Sequence, residues 1–348
     1  MLRRLGGLLP LLGLVACASG PSPPGRPVNV VLITMDTVRA DHLGCYGGSA
    51  ATPKLDALAR AGARFDQATA AAPLTLPSHA TILSGLLPPA HGLRNNGGGA
   101  LPGTVETLAT RLSSAGYRTG AFVGAFVLDH RFGLGRGFDV YDDAITRGDR
   151  VADALEAERP GNVVVDRALE WLARDPGGKP FFLWVHLYDA HAPYAPPSPY
   201  REQYAGRLYD GEIAFVDAQV GRILAAVGPG ALVAVVADHG EALGDHGEET
   251  HGLLLYQPTL RVPLLVQGPG IRAGTVVERA VGLADLAPTL ASLAGTSLKA
   301  DGRDLSAALR SGEEPPSADV YSETEYPRLF GWAGMAALRR GARKHIAS

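Results

Sequence analysis

Cysteine is nearly absent from this chain: two residues in 348, Cys17 and Cys45. Once Cys17 is assigned to N-terminal processing, as argued below, Cys45 has no partner, and no internal disulfide can stabilise the fold. Cys45, in "LGCYGG", reads as a small buried residue rather than a reactive thiol. A surplus of charge is missing too. The 32 Lys and Arg nearly balance 35 Asp and Glu, for a formal net charge of −3, which argues against bulk binding to nucleic acid. The N-terminal apolar run, Leu5 to Val15, is too short to span a bilayer comfortably. There is no internal repeat. What the chain does have is apolar content, 46% of residues, enough at this length for a sizeable core.

The N-terminus has its own grammar. Arg3 and Arg4 precede the apolar run, and small residues follow it, the layout of a secretory signal. Leu14-Val15-Ala16-Cys17 resembles a bacterial lipobox, which implies lipidation of Cys17 and an exported protein held at a bacterial membrane, periplasmic or at the cell surface. Residues 1–17 are therefore expected to be a lipoprotein signal peptide. Residues 18–27, rich in Ser, Pro and Gly, read as an extended linker.

From Val28 onward, strands and helices alternate. "VNVVLITMD", "RTGAFVGAF", "PFFLWVHLYDAH", "ALVAVVADHG" and "VPLLVQGPG" are continuous apolar runs suited to strands buried on both faces. Between them, "TPKLDALARAG", "VETLATRLSSAGY", "VVVDRALEWLARD", "YDGEIAFVDAQVGRILAAVG" and "LADLAPTLASLAG" show helical spacing. The order predicts an α/β fold with a large, mostly parallel sheet flanked by helices. "NNGGG" reads as a surface turn. After "YSETEYP" the chain is expected to run out without a packed closing element.

In such sheets functional groups gather at the carboxyl ends of strands. Three predicted ends carry acids or imidazoles: Asp36; His186 with Asp189 and His191; and Asp238, His239 and Glu241. Asp238 and His239 directly follow an apolar run, and a carboxylate at the edge of a core needs a compensating cation. Mixed Asp and His ligands suit Zn²⁺ or Mn²⁺, while the hard oxygens of Asp36 and Asp238 also admit Ca²⁺. Asp245, Glu248 and Glu249 read as a solvated loop. "APLTLPSHATILSGLLPPAHG" reads as a loop that turns into a short apolar helix, with Pro77 at the first helical position and a stop at Gly85. Thr75, just before that helix, can serve as a nucleophile if a dication lowers the proton affinity of its hydroxyl. Ser78 reads as packing at the helix start or a substrate contact.

The segments "NVVLITMDTVRADHLGCYG", "TPKLDALARAGARFDQATAAAPLTLPSHATILSG", "GYRTGAFVG", "PFFLWVHLYDAHAPY", "VVADHGEALGDHG" and "YQPTLRVPLLVQGPG" resemble, in that order, sulfatases of the alkaline phosphatase superfamily. The resemblance implies a catalytic domain over 28–330 and a smaller C-terminal subdomain, truncated here, beginning at 331–348. It implies metal ligands at Asp36, Asp238 and His239 and the nucleophile at Thr75. Sulfatases carry Cys or Ser in C-x-P-S-R and oxidise it to formylglycine. This chain reads Thr75-Leu76-Pro77-Ser78-His79, so no formylglycine is expected, and His79 replaces the Arg as a catalytic candidate. The family's second Asp is Thr37, its "GKWH" segment is Gly124-Ala125-Phe126-Val127, and its later Lys corresponds to His251. These departures are similar to phosphodiesterases and phosphoethanolamine transferases of the superfamily. They make His191 and His251, with Asp189, a candidate second metal site or a pair of catalytic imidazoles. The expected activity is cleavage of O-linked sulfate or phosphate esters, with a phosphodiesterase or phosphoethanolamine-type transferase, and a non-catalytic cell-surface binding protein, as alternatives.

Overall fold

The computed structural model describes residues 27–145, 157–174 and 178–348. The signal peptide, Cys17 and nearly all of the linker lie outside the described residues. An eight-stranded sheet organises the chain. From edge to edge it runs Thr275–Val277 (β10), Ala63–Phe65 (β2), Leu264–Gln267 (β9), Leu232–Ala237 (β7), Val30–Met35 (β1), Phe181–Leu187 (β6), Arg118–Val123 (β4) and Val140–Asp142 (β5). β9 alone opposes its neighbours; every other pairing is parallel. The α/β architecture with a mostly parallel sheet is thus the one the sequence predicts. The central strands β1 and β7 are buried along their whole length, as their unbroken apolar runs require.

Two groups of helices flank the sheet. Pro53–Ala61, Gly161–Ala173 and Leu208–Val227 pack together, and Thr75–Ser84, Leu108–Ser114 and Leu286–Leu293 form the other group. No helix among the described residues is long and apolar enough to cross a membrane. Cys45 is half-buried rather than buried; burial, then the nearby Asp56, pushes its thiol up to about 12, which leaves it inert at neutral pH.

A small sheet, Val281–Gly282 (β11), Ala68–Thr69 (β3) and Arg261–Val262 (β8), sits apart. A third, antiparallel sheet joins Val320–Thr324 (β12), Met335–Arg340 (β13) and Arg343–Ala347 (β14). Its presence corrects the expectation of an unpacked end, and the expected boundary at 330/331 falls between two of its paired strands. β12 reaches back to the body of the fold: Ser322 Oγ donates to the Ala70 carbonyl (2.7 Å), Glu323 N to that of Ala71 (2.9 Å), and Thr324 Oγ1 to that of Gly252 (2.5 Å). Glu323 also holds the Arg94 guanidinium through both carboxylate oxygens.

Candidate active site

β1 lies between β6 and β7 with Met35 opposite both Leu187 and Ala237, so Asp36 and Asp238 leave the sheet side by side. The helix Thr75–Ser84 is fastened above them. Ser78 Oγ donates to the Asp238 carbonyl (2.6 Å), giving Ser78 a packing role. His79 Nδ1–H donates to the Thr75 carbonyl (2.8 Å), and its Nε2 lies 3.0 Å from Thr34 Oγ1 of β1. The helix begins at Thr75, so Pro77 is its third residue rather than its first, still within the turn whose N–H groups lack intrahelical partners. One of these, Leu76 N–H, donates to Asn96 Oδ1 (2.9 Å); "NNGGG" is a turn, but one that reaches into the site. Gly85 closes the helix at φ 71°, where a left-handed residue is needed.

Thr75 Oγ1 lies 3.3 Å from Asp36 Oδ2 and 3.4 Å from His239 Nε2. Ligand atoms of Asp36, Asp238 and His239 all fall within 4.8 Å of one another. Asp36 Oδ1 and Asp238 Oδ2 are buried with no hydrogen-bond partner. His239 Nδ1–H donates to the Gly240 carbonyl (3.0 Å), which leaves the Nε2 lone pair facing the carboxylates. Two carboxylates, each with one buried oxygen that lacks a donor, beside an unprotonated nitrogen fit a divalent cation and are costly without one. Thr37, next to Asp36, is held in a left-handed conformation (φ 55°). For a β-branched residue that is strain of about 1–3 kcal/mol; Thr37 Oγ1 on the Ala190 carbonyl and Tyr209 OH on the Thr37 carbonyl, both 2.7 Å, hold it there.

Three imidazoles continue from the cluster. The His251 ring is 4.5 Å from that of His239 and 5.2 Å from that of His191. His251 Nδ1–H donates to Glu241 Oε1 (3.1 Å), Tyr194 OH donates to Glu241 Oε2 (3.2 Å), and His191 Nδ1–H donates to the Ala192 carbonyl (2.7 Å). Each ring therefore turns Nε2 away from its tethered side. Asp189 is not gathered into this row. Its Oδ1 accepts Gly161 N–H (2.9 Å), and it shares no metal-sized cluster with His191 and His251 among the described residues.

The electrostatics follow from burial. Burial, and then the neighbouring Asp238, hold the Asp36 carboxyl well above the usual range. For Asp238 burial outweighs the N–H groups of His239 and Thr37. Burial, then His251, keeps His239 neutral and brings His191 down to about 3. Burial likewise lowers His79 to about 4 against its bond to Thr75. Both nitrogens of His79 are engaged beneath the helix, so it positions Thr75 rather than facing a ligand.

Sequence reasoning gave no role to His186, Glu241 or Asn96. His186 Nε2 is buried without a partner, 3.5 Å from Asp36 Oδ2. Its position at a predicted strand end, like that of Glu241, was the available signal. The loop after β7 needs a correction as well. Asp245 and Glu249 are exposed, but Glu248 is buried, accepting the N–H groups of Leu253 (2.6 Å) and Leu254 (3.3 Å).

Residues 28–296 match the family described as Sulfatase. Human arylsulfatase A is 30% identical over 395 residues, covering 95% of this chain and 76% of its own, and a Clostridium perfringens arylsulfatase is 26% identical, covering 78% and 75%. Among solved structures, BT4656 in complex with its substrate D-glucosamine-2-N,6-O-disulfate superposes with TM-score 0.78 at 20% identity, covering 92% of this chain and 88% of its own. The phosphonate monoester hydrolase of Agrobacterium radiobacter superposes with TM-score 0.77 at 21% identity, covering 92% and 87%. The matched region holds both strand ends, the helix at Thr75 and all three imidazoles; this chain belongs to the sulfatase family.

Proposed function

We propose that the protein is an exported, lipid-tethered hydrolase that cleaves O-linked sulfate or phosphate esters with Thr75 as nucleophile. The reading is carried by one observation: Thr75 Oγ1 lies against Asp36 and His239 in a cluster whose carboxylates have unpartnered, buried oxygens. Asp36, Asp238 and His239 would hold a divalent cation, which supplies the charge that lowers the proton affinity of the hydroxyl and offsets that of the ester oxygens. The Thr75 oxygen attacks the central S or P atom, the bond to the leaving alcohol breaks, and water later releases the anion from Thr75. The helix start, whose Leu76 N–H is committed to Asn96, turns the positive end of its dipole towards that anion. His251, oriented by Glu241, exchanges the proton with the leaving oxygen, and His191 contacts the anion or joins His251 at a second cation. Threonine cannot become formylglycine by the family's usual route, so none is required. That favours the phosphoester side, to which the phosphonate hydrolase likeness adds weight.

The test is turnover of 4-nitrophenyl sulfate, 4-nitrophenyl phosphate, bis(4-nitrophenyl) phosphate and 4-nitrophenyl phenylphosphonate, each with Zn²⁺, Mn²⁺ or Ca²⁺. Thr75→Ala is expected to lower kcat at least ~1,000-fold, with cation content by elemental analysis unchanged. Undiminished turnover would put the nucleophile elsewhere. Wild-type protein that binds no dication would favour the non-catalytic alternative. Cys17→Ala in the full chain is expected to move the protein from the detergent to the aqueous phase on Triton X-114 partitioning; retention in detergent argues against the tether.

A further inference from the structure

Beside the imidazole row, sharing His191 with it, lies a cavity of about 280 Å³. Three carboxylates line it, Glu158, Asp189 and Glu212, and no Lys or Arg among the described residues does. Glu212 is 5% exposed. One of its oxygens accepts the Ala195 N–H (2.8 Å), and the other has no partner among the described residues. Asp189 Oδ2 is buried and equally unpartnered. The basic side chain felt at Glu212 is Arg201, whose Nε is committed to the Pro196 carbonyl. Burial, then the facing Asp189 and Glu158, push Glu212 up to about 8. The cavity thus presents unpartnered oxygens of Glu212 and Asp189 beside the exposed carboxylate of Glu158, acceptors that a ligand with N–H donors would complete.

Its shape selects the ligand. The space is several times a water's share of liquid volume, about 30 Å³. The carboxylate oxygens do not all lie within 4.8 Å of one another, as ligands of one bare ion would. Apart from Asn162 and His191 the remaining wall is apolar, with Pro193, Pro197 and the Phe215 ring, surfaces that take methylene groups and the face of a cation. We propose that this cavity is a subsite for an organic ammonium group, so that the preferred substrates are anionic esters whose alcohol carries a primary amine. The proposal rests on the ester-hydrolase reading for its substrate class but not for the subsite itself. The ammonium bonds Glu212 and Asp189, its carbon chain lies along Pro193 and Phe215, and the ester end points past His191 to His251.

Two measurements on the full chain test it. The first is kcat/KM for 2-aminoethyl sulfate and phosphate against the isosteric propyl esters. The wild type is expected to prefer the amine by at least ~10-fold, as a charge-assisted hydrogen bond supplies, and Glu212→Gln to bring that ratio near one. Equal turnover of both esters by the wild type overturns the subsite. The second is calorimetric titration with ethanolamine, which needs no turnover. Binding that Glu212→Gln weakens ~10-fold or more supports the subsite even if neither ester is cleaved, and then it is the hydrolase reading that has failed. No binding to the wild type overturns the subsite, and so does competitive displacement of ethanolamine by Mn²⁺ or Ca²⁺, which would mark a metal site.

Discussion

At the scale of the residue, Thr34 shows what one hydroxyl can organise. It sits on β1 two positions before Asp36. It accepts Trp184 Nε1–H (3.0 Å) and lies 3.1 Å from His186 Nδ1 and 3.0 Å from His79 Nε2. All four side chains are buried. Thr34→Val keeps the volume and strands three ring nitrogens, at about 1–3 kcal/mol for each one left unsatisfied. A loss of at least ~3 kcal/mol, about 1 for each nitrogen, is expected in urea unfolding, with kcat falling as His79 releases its hold on Thr75. A loss under about 0.5 kcal/mol, the range of an ordinary surface change, would mean the nitrogens find other partners. The sequence makes Asp36, Asp238 and His239 legible because each follows an apolar run that has to be a strand. It does not make His186 or Thr34 legible as a pair, because 152 positions separate them and only strand register brings them together.

At the scale of the element, one helix is finished by a residue of another. Pro53–Ala61 has Thr52 at its N-cap position, but that side chain makes no cap. Instead Asp217, on Leu208–Val227, accepts the N–H groups of Lys54 (3.1 Å) and Leu55 (2.8 Å). Asp217→Ala is expected to cost about 1–2 kcal/mol, as loss of a cap does, while Asp217→Asn, which keeps an acceptor, costs less; chemical denaturation of the two variants checks the order. Gly240 is a second such point. A Cβ there would stand 2.0 Å from the Pro258 carbonyl oxygen, so Gly240→Ala must displace the loop that carries His239 and Glu241. The expected result is at least ~10-fold weaker binding of divalent cation by calorimetry, as when a partner that orients a metal ligand is lost; unaltered binding would show that the loop yields freely. Long strands and helices were readable from periodicity. The reversed direction of β9, the three-residue strands β2 and β10 and the antiparallel closing sheet were not, because pairing direction is set by partners and short edge strands carry little pattern.

At the scale of the whole molecule, the acid pair couples stability to pH and to metal. The folded state holds Asp36 and Asp238 protonated well above the pH at which an unfolded chain releases those protons. The folded state then binds more protons, so the slope of stability with pH is negative. Stabilisation from the pair is full below the ordinary carboxylate range and is lost as pH rises through the elevated folded values. With EDTA, Tm is therefore expected to fall from pH 5 to pH 8, and saturating divalent cation should raise Tm more at pH 8 than at pH 5. An EDTA-treated protein whose Tm does not respond to pH across that range would contradict the buried, unpaired state of the two carboxylates.

The reach of β12 bears on the order in which the polypeptide matures. Ribosomes deliver Ala70, Ala71 and Gly252 long before Ser322, Glu323 and Thr324, the residues that pin them. Loop closure over some 250 positions must precede that pinning, and contacts so distant in sequence form late. Until β12 has been made, the segments at Ala70 and Gly252, close in sequence to Thr75 and His251, lack that fastening, so competence is expected to wait on β12 rather than grow steadily with length.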